Sequence, residues 1–533
     1  MSSPVARTLP SPAVWLAFAV LGLALAYSML VHFAVPVYPE DDAFIIYRYA
    51  DNLVAGRGLV YNQGQRVFGA STPLYVVHLA ALKTLFRSVP TPDLAVRLNF
   101  VHYLAFGIGL FLLLRRLLDR TGMAALLAAG FLVRDDMLRV STGGMETFLF
   151  CALMVFSLWQ IAERRFVPAA ILAGLSVLAR IEGVLLCLVV FVAWLAASRT
   201  RVLSVLSGLL LPGLAWIVFG FAYYGTPVYH SIVAKSRPVY PLGFGDAVVR
   251  IQRELDGRML GNLAPWPATG DPVKWRFSGA TAVLLLLVGL AAWGHVRGRE
   301  NRMQKWVLVL LGLFLLLYLV TNPLMFPWYY PPIVVLFYLA VVTGVNRLTA
   351  VERPLSRVLG RVVPALLVLF FCVTFLRQPV ARVLTGHDLT DIGVAGDPVR
   401  TRIVAYRNAA EWLNQVLPEG VVIVGPEIGS LGYYYQGPLV DACGLVSPEA
   451  LPFLPVPMAE RFSADCGAIS VELVHSLYPD VVVTMGTFAG ISLYDDPWYR
   501  RSYVKVRMFD LPQPAWNTPT VDVFFRADHI TRE

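Results

Sequence analysis

Residues 39–75 read PEDDAFIIYRYADNLVAGRGLVYNQGQRVFGASTPLY, and they follow closely on an apolar run at 13–35. A hydrocarbon core of about 30 Å takes roughly 20 helical residues, so the run is read as a membrane span. One basic residue, Arg7, precedes it and no convincing small-x-small cleavage site is present, which points to a retained helix rather than a signal peptide. Glu40, Asp41 and Asp42 then stand at the membrane surface, where a helical stretch begins. Two explanations compete for these carboxylates. An aspartate at a helix N-terminus accepts orphan backbone N–H groups and suits the helix dipole, which stabilises by about 0.5–2 kcal/mol. Alternatively, they belong to a site. Asp41 and Arg48 are seven residues apart, close to two turns, so both fall on one helix face roughly 10 Å apart along the axis. That spacing fits a sugar held between a base and a phosphate-binding cation; Arg48 pairing with Asp51, or snorkelling to headgroups, is the alternative.

The rest of the chain agrees with a membrane setting. Of 533 residues, 57% are hydrophobic and 15% charged, against roughly 45–50% and 25% in an average soluble domain. The mean hydropathy is +0.63. The net charge of +9 does not imply a nucleic-acid partner, because many Arg and Lys stand at the ends of apolar runs. Short cytoplasmic loops carry the excess of basic residues. Placing the clusters at 115–120, 164–165, 199–201, 297–305 and 347–361 inside threads the chain as about eleven spans. These lie near 13–35, 93–114, 121–137, 146–162, 166–180, 182–198, 202–224, 278–296, 304–321, 329–346 and 362–377. The apolar stretch 72–87 is short and interrupted by His78, Lys83 and Arg87, so it is expected to lie in the interface.

This threading gives a transmembrane domain over 1–377 with outer loops at 36–92 and 225–277, and an extracytoplasmic α/β domain over 378–533. In the tail an amphipathic helix is expected around 402–417, with β-rich runs at 421–425, 480–485, 503–509 and 521–526. Five cysteines show no metal-ligand spacing. Cys443 and Cys466 fall in the tail, as a disulfide or as two thiols.

The EDDAFIIYRYADNL stretch, the following GRGLVYNQGQRV, the GGMETFLF turn at 143–150 and the ARIEG corner at 179–183 resemble, in that order, a GT-C glycosyltransferase. Similar proteins are the protein O-mannosyltransferases, the lipid A aminoarabinose transferases and, in the first loop especially, the mycobacterial arabinofuranosyltransferases. The resemblance extends to about residue 340. It implies a polytopic helical GT-C fold, a polyprenyl-phosphate-linked sugar donor, and an inverting transfer to a glycan, lipid or protein acceptor outside the cytoplasm, in a bacterial inner or plasma membrane. It also implies that one aspartate of the pair is the general base, Asp41 or Asp42. No cofactor is required by this reading, although a divalent cation on Asp41 and Asp42 stays open.

Other candidates follow from position and chemistry. Glu146, after Gly143 and Gly144, opens a helix and is either a cap or a group binding a sugar hydroxyl or the acceptor. Arg180 and Glu182 form a mutual ion pair or part of the site. The run YYGTPVYHSIVAKSRP carries His230, Lys235 and Arg237 among tyrosines. It resembles a lipid-phosphate-binding segment, against simple headgroup anchoring. Trp328 and Tyr329 are an interfacial belt or a sugar platform. Glu427 is turn chemistry or part of a loop over the site. A transporter of lipid-linked saccharides is the alternative class. It would place ionisable groups near the midplane and often shows paired repeats, whereas these charges gather at one surface and no repeat stands out. A sensor or scaffold would leave the acidic pair dispensable.

Overall fold

The computed structural model describes residues 11–34, 39–197, 199–237, 304–321, 325–348, 398–462 and 468–530, with scattered positions between 245 and 296. The first eleven helices are α1 Pro12–Ala34, α2 Asp41–Val54, α3 Pro73–Leu85, α4 Thr91–Leu118, α5 Thr121–Leu132, α6 Asp135–Ser141, α7 Thr147–Ala162, α8 Phe166–Ala179, α9 Gly183–Ala197, α10 Val202–Tyr224 and α11 His230–Ser236. Helices Gln304–Thr321 and Tyr330–Leu348 complete the described membrane part. Among the described residues, five helices are long and apolar enough to cross a bilayer alone: α1, α4, α10 and these last two. The shorter apolar helices α5, α7, α8 and α9 coincide with expected spans, while those at 278–296 and 362–377 fall almost wholly outside the described residues.

Packing between these helices relies on small residues, because lipid removes the hydrophobic drive that pairs helices in water. A Cβ on Gly174 of α8 would come within 2.1 Å of the Gly208 carbonyl oxygen of α10. Helix Tyr330–Leu348 is buried from Tyr330 to Val345, and its Tyr338 hydroxyl donates to the Leu127 carbonyl of α5 (3.0 Å). It is therefore packed inside the bundle rather than facing lipid. The expected span 121–137 is broken: α5 stops at Leu132 and α6 starts at Asp135. Helix α3, at 13 residues, reaches only about 20 Å. Its last turn is tied down by Lys83, whose ammonium donates to the Arg87 and Val89 carbonyls (2.9 and 2.8 Å). Its length accords with the interfacial reading.

The described part of the tail begins with helix Pro398–Val416 and holds a five-stranded sheet in the order β2-β1-β3-β5-β4. The strands are β1 Ile423–Gly425, β2 Leu439–Asp441, β3 Val481–Met485, β4 Tyr503–Ala515 and β5 Thr518–Arg526. β1 lies parallel between β2 and β3, and β5 is antiparallel to both β3 and β4. β3 is buried throughout and is apolar except for Thr484, as a strand covered on both sheet faces requires. β4 and β5 meet at Trp516 and Asn517, both with positive φ (48° and 61°), as a tight hairpin requires.

The tail sits on the first loop. Arg400 donates from Nε to the Glu40 carboxylate (2.8 Å) and from Nη2 to the Arg139 carbonyl (2.9 Å). Tyr61 donates to the Ile428 carbonyl (2.6 Å), and Asn62 Nδ2 to that of Leu439 (2.9 Å). Cys443 carries a free thiol that points at the Pro426 carbonyl, and Cys466 lies outside the described residues.

Candidate active site

Helix α2 starts at three consecutive carboxylates, and each goes a different way. Glu40, the N-cap residue, has extended backbone (φ −64°, ψ 151°) and turns back to take Arg400. Asp41 is buried and accepts two backbone N–H groups of the tail, Gly429 (3.0 Å) and Ser430 (2.8 Å). Those amides open the short helix Ser430–Tyr434, so Asp41 caps a helix of the tail. The chains approach so closely that a Cβ on Gly429 would stand 1.9 Å from the Asp41 carbonyl oxygen. Asp42 has no hydrogen-bond or ion-pair partner among the described residues, and it faces a cavity of about 130 Å³.

That cavity gathers side chains from seven separate segments. Ile45 and Ile46 of α2 line it with Asp42; Ser71 comes from the loop before α3, Glu146 from the start of α7, Arg180 and Glu182 from the corner between α8 and α9, and Lys235 from α11. Trp328 and Tyr329 close one side and Leu445 of the tail another. Ser71 holds φ of +53°, a conformation a non-glycine residue keeps only where its surroundings enforce it.

Arg180 organises the floor. It donates to Glu146 Oε1 (3.0 Å), to Glu182 Oε1 (2.9 Å) and to the Trp328 carbonyl (3.2 Å), and its guanidinium stacks 5.0 Å from the Tyr329 ring centre. Tyr318 donates to Glu182 (2.7 Å). The mutual ion pair of Arg180 and Glu182 is thus present, widened by Glu146. Glu146 Oε2 is buried with no hydrogen-bond partner among the described residues, leaving an acceptor on the cavity wall. Lys235 donates to the Tyr329 hydroxyl (3.3 Å).

Burial raises the pKa of Asp42 above the ordinary carboxylate value; the Lys235 charge pulls it down and the Asp41 charge pushes it up. Lys235 is held above its usual value by the Tyr329 hydroxyl and, after the cost of burial, by Asp42. Asp42, Lys235 and Tyr329 all line the same cavity.

Four other candidates stand elsewhere. Arg48 does not share a cleft with Asp42: its guanidinium donates to the Tyr61 carbonyl (2.8 Å), to the Gly432, Tyr435 (3.3 Å) and Gly437 (3.0 Å) carbonyls and to Asn62 (3.2 Å). The seven-residue spacing set its face correctly, but that face meets the tail. Glu427 pairs through both oxygens with Arg402, and burial pushes its pKa up to about 7 against that cation. His230 is one residue before the cavity-lining Ser231, and burial lowers its pKa. Arg237 follows α11 and is exposed, off the cavity.

Residues that sequence reasoning missed come mostly from the tail. Asp441 accepts from the backbone N–H groups of Cys443 (2.7 Å), Leu445 and Val446 (3.3 Å), which shapes the loop that carries Leu445 to the cavity. Arg400, Arg402 and the Gly429–Ser430 pair carry no pattern that separates them from ordinary surface and turn residues. Their carboxylate partners lie more than 350 positions away, except for that of Arg402.

Comparison with known proteins follows the same division. Residues 398–524 match a domain of unknown function, DUF8728. A terminal β-(1→2)-arabinofuranosyltransferase of Mycobacterium tuberculosis (strain H37Rv) is 32% identical over 221 residues, which is 37% of this chain and 34% of that protein. Its counterpart in Corynebacterium glutamicum is 30% identical over 240 residues, 37% of this chain and 33% of that one. The chain thus spans about a third of the length of these curated relatives. Among solved structures, arabinofuranosyltransferase AftD from mycobacteria matches with a TM-score of 0.51 at 15% identity, over 95% of this chain and 39% of that one. ArnT from Cupriavidus metallidurans, bound to undecaprenyl phosphate, matches with a TM-score of 0.52 at 12% identity, over 96% and 98%. The chain shares the GT-C fold of these two structures over 95% and 96% of its length.

Proposed function

We propose that the chain is an inverting glycosyltransferase that takes its sugar from a polyprenyl-phosphate donor and works outside the cytoplasm. The observation that carries this reading is Asp42: of three adjacent carboxylates it alone is uncommitted, and it faces a cavity with a cation, Lys235, on the wall. In the reaction, Asp42 takes the proton of an acceptor hydroxyl while that oxygen attacks the anomeric carbon. The bond from that carbon to the phosphate oxygen breaks, its electron pair leaves with the polyprenyl phosphate, and the configuration inverts. Lys235 is placed to meet the charge that grows on the departing phosphate, the kind of interaction that contributes most to many catalysed reactions. Arg180 is neutralised by Glu146 and Glu182, so its part is to hold Glu146 with one oxygen free for a sugar hydroxyl.

The polyprenyl phosphate is supported by the undecaprenyl phosphate named for the ArnT structure, and a pentose by the arabinofuranosyltransferases that share sequence with this chain. The acceptor we assign is a glycan of the cell envelope, and the membrane a bacterial inner or plasma membrane, with the basic clusters supporting a site outside. We propose a reaction without a required metal. Asp41 has both oxygens on backbone amides, so a divalent ion would have Asp42 and Glu146 Oε2 as its carboxylate ligands. Purified protein in lipid, offered polyprenyl-phosphate-linked pentoses and hexoses with envelope glycan acceptors, tests the reading directly. Transfer from one donor class upholds it and names the sugar, and donor binding with no turnover on any acceptor overturns it.

A further inference from the structure

A second concavity, of about 860 Å³, lies on the seam between the first loop and the tail. That volume falls within the roughly 300–1,000 Å³ of small-molecule sites. One wall is the C-terminal half of α2 with the turn that follows it; the other is the end of helix Pro398–Val416 with the run from Tyr433 to Pro438. Asp51, in this groove, comes nine residues after Asp42. At 1.5 Å and 100° per residue, that places it about 13 Å along the helix and on the opposite face. The groove is therefore separate from the Asp42 cavity.

Its floor is rigid. Arg48 is locked by the carbonyls of the tail, Asp51 accepts from Thr91 (2.5 Å) and Tyr433 (3.0 Å), and Asn414 bonds both the Tyr434 carbonyl (2.8 Å) and the Gln436 N–H (3.0 Å). Its rim is exposed and polar: Arg57, Gln63, Glu419 and Gln436. Arg57 donates one hydrogen bond, to Asn52 (3.2 Å). The two arginines of the lining are matched by Asp51 and Glu419, so the groove has no net charge for a phosphate or a polyanion. Amides, one guanidinium, one carboxylate and consecutive tyrosines suit a hydroxyl-rich, uncharged ligand, and a rigid floor lowers the entropy lost on binding it.

We propose that this groove binds a neutral glycan chain, holding sugars of the acceptor remote from the one that reacts; the proposal rests on the glycosyl-transfer reading above. The test measures initial rates on linear arabinofuranose oligosaccharides of graded length, with wild type and the Arg57→Ala/Gln63→Ala variant. KM should rise about tenfold for the long acceptors, as loss of a charge-assisted hydrogen bond implies, with KM for the shortest acceptor and kcat unchanged. An equal KM for wild type and variant at every length overturns the proposal. Direct binding separates this from failure of the activity itself: the same oligosaccharides are followed by saturation-transfer NMR on Asp42→Asn protein with and without the two groove substitutions. Binding that the substitutions abolish upholds the groove even where no transfer is seen, and binding that ignores them, or no binding, overturns it.

Discussion

Asp41 and Asp42 are neighbours with the same chemistry, and what differs is where their oxygens go. Asp41 Oδ1 and Oδ2 take one backbone N–H each, whereas Asp42 keeps both lone-pair sets for the cavity. The difference is checkable by pH. A base must be ionised to act, so kcat/KM should fall as pH drops through the raised pKa of Asp42. Lys235 lowers that pKa, so Lys235→Ala should move the acid limb of the profile to higher pH, besides slowing transfer by about 10²–10³ through loss of phosphate stabilisation. A limb at an unchanged pH in Lys235→Ala would show that the two groups do not share the site. Asp41→Asn should instead register in stability: it replaces a charge-assisted pair of hydrogen bonds by a weaker one and costs about 1–3 kcal/mol in thermal or denaturant unfolding.

At the level of elements, the helices of the membrane part and the main strands of the tail were legible because apolar periodicity and basic end-markers act locally. The expected span 202–224 is α10 residue for residue, and the tail helix expected at 402–417 runs from Pro398 to Val416. The three-residue strand β2 and the five-residue helix Ser430–Tyr434 escaped, since neither is long enough to show a period. That short helix is the one that matters to the site, because Asp41 caps it. Gly429→Ala is therefore predicted to be severe: its Cβ would stand 2.5 Å from the Asp41 carboxyl carbon as well as against its backbone, and one of the two must move. A loss of more than about 2 kcal/mol of stability with loss of transfer is expected; a variant of wild-type stability would mean that the loop and the tail are not in this contact.

Across the whole molecule, the tail is more than a cover. It supplies Leu445 to the cavity, two amides to Asp41 and Arg400 to Glu40, so α2 is set in place by residues nearly 400 positions downstream. This is what the sequence left unread: the spacing of Asp41 and Arg48 was correct as helix geometry, yet both side chains face the tail, and only the partner surface decides which of the polar groups remains free for chemistry. Arg400 is buried, and Arg400→Met leaves Glu40 without its cation, an uncompensated charge that costs about 3–5 kcal/mol. Adding Glu40→Gln to Arg400→Met should recover part of that loss, and a double-mutant cycle with no coupling would contradict the docking.

The most direct measurement is sugar transfer by purified protein in lipid for wild type, Asp42→Asn and Asp41→Asn, each checked for folding and donor binding. Loss of a general base predicts a fall of about 10²–10⁴ in kcat for Asp42→Asn with donor binding kept, and a much smaller fall for the folded fraction of Asp41→Asn. Transfer retained in Asp42→Asn, or lost only in a folded Asp41→Asn that still binds donor, would contradict the assignment.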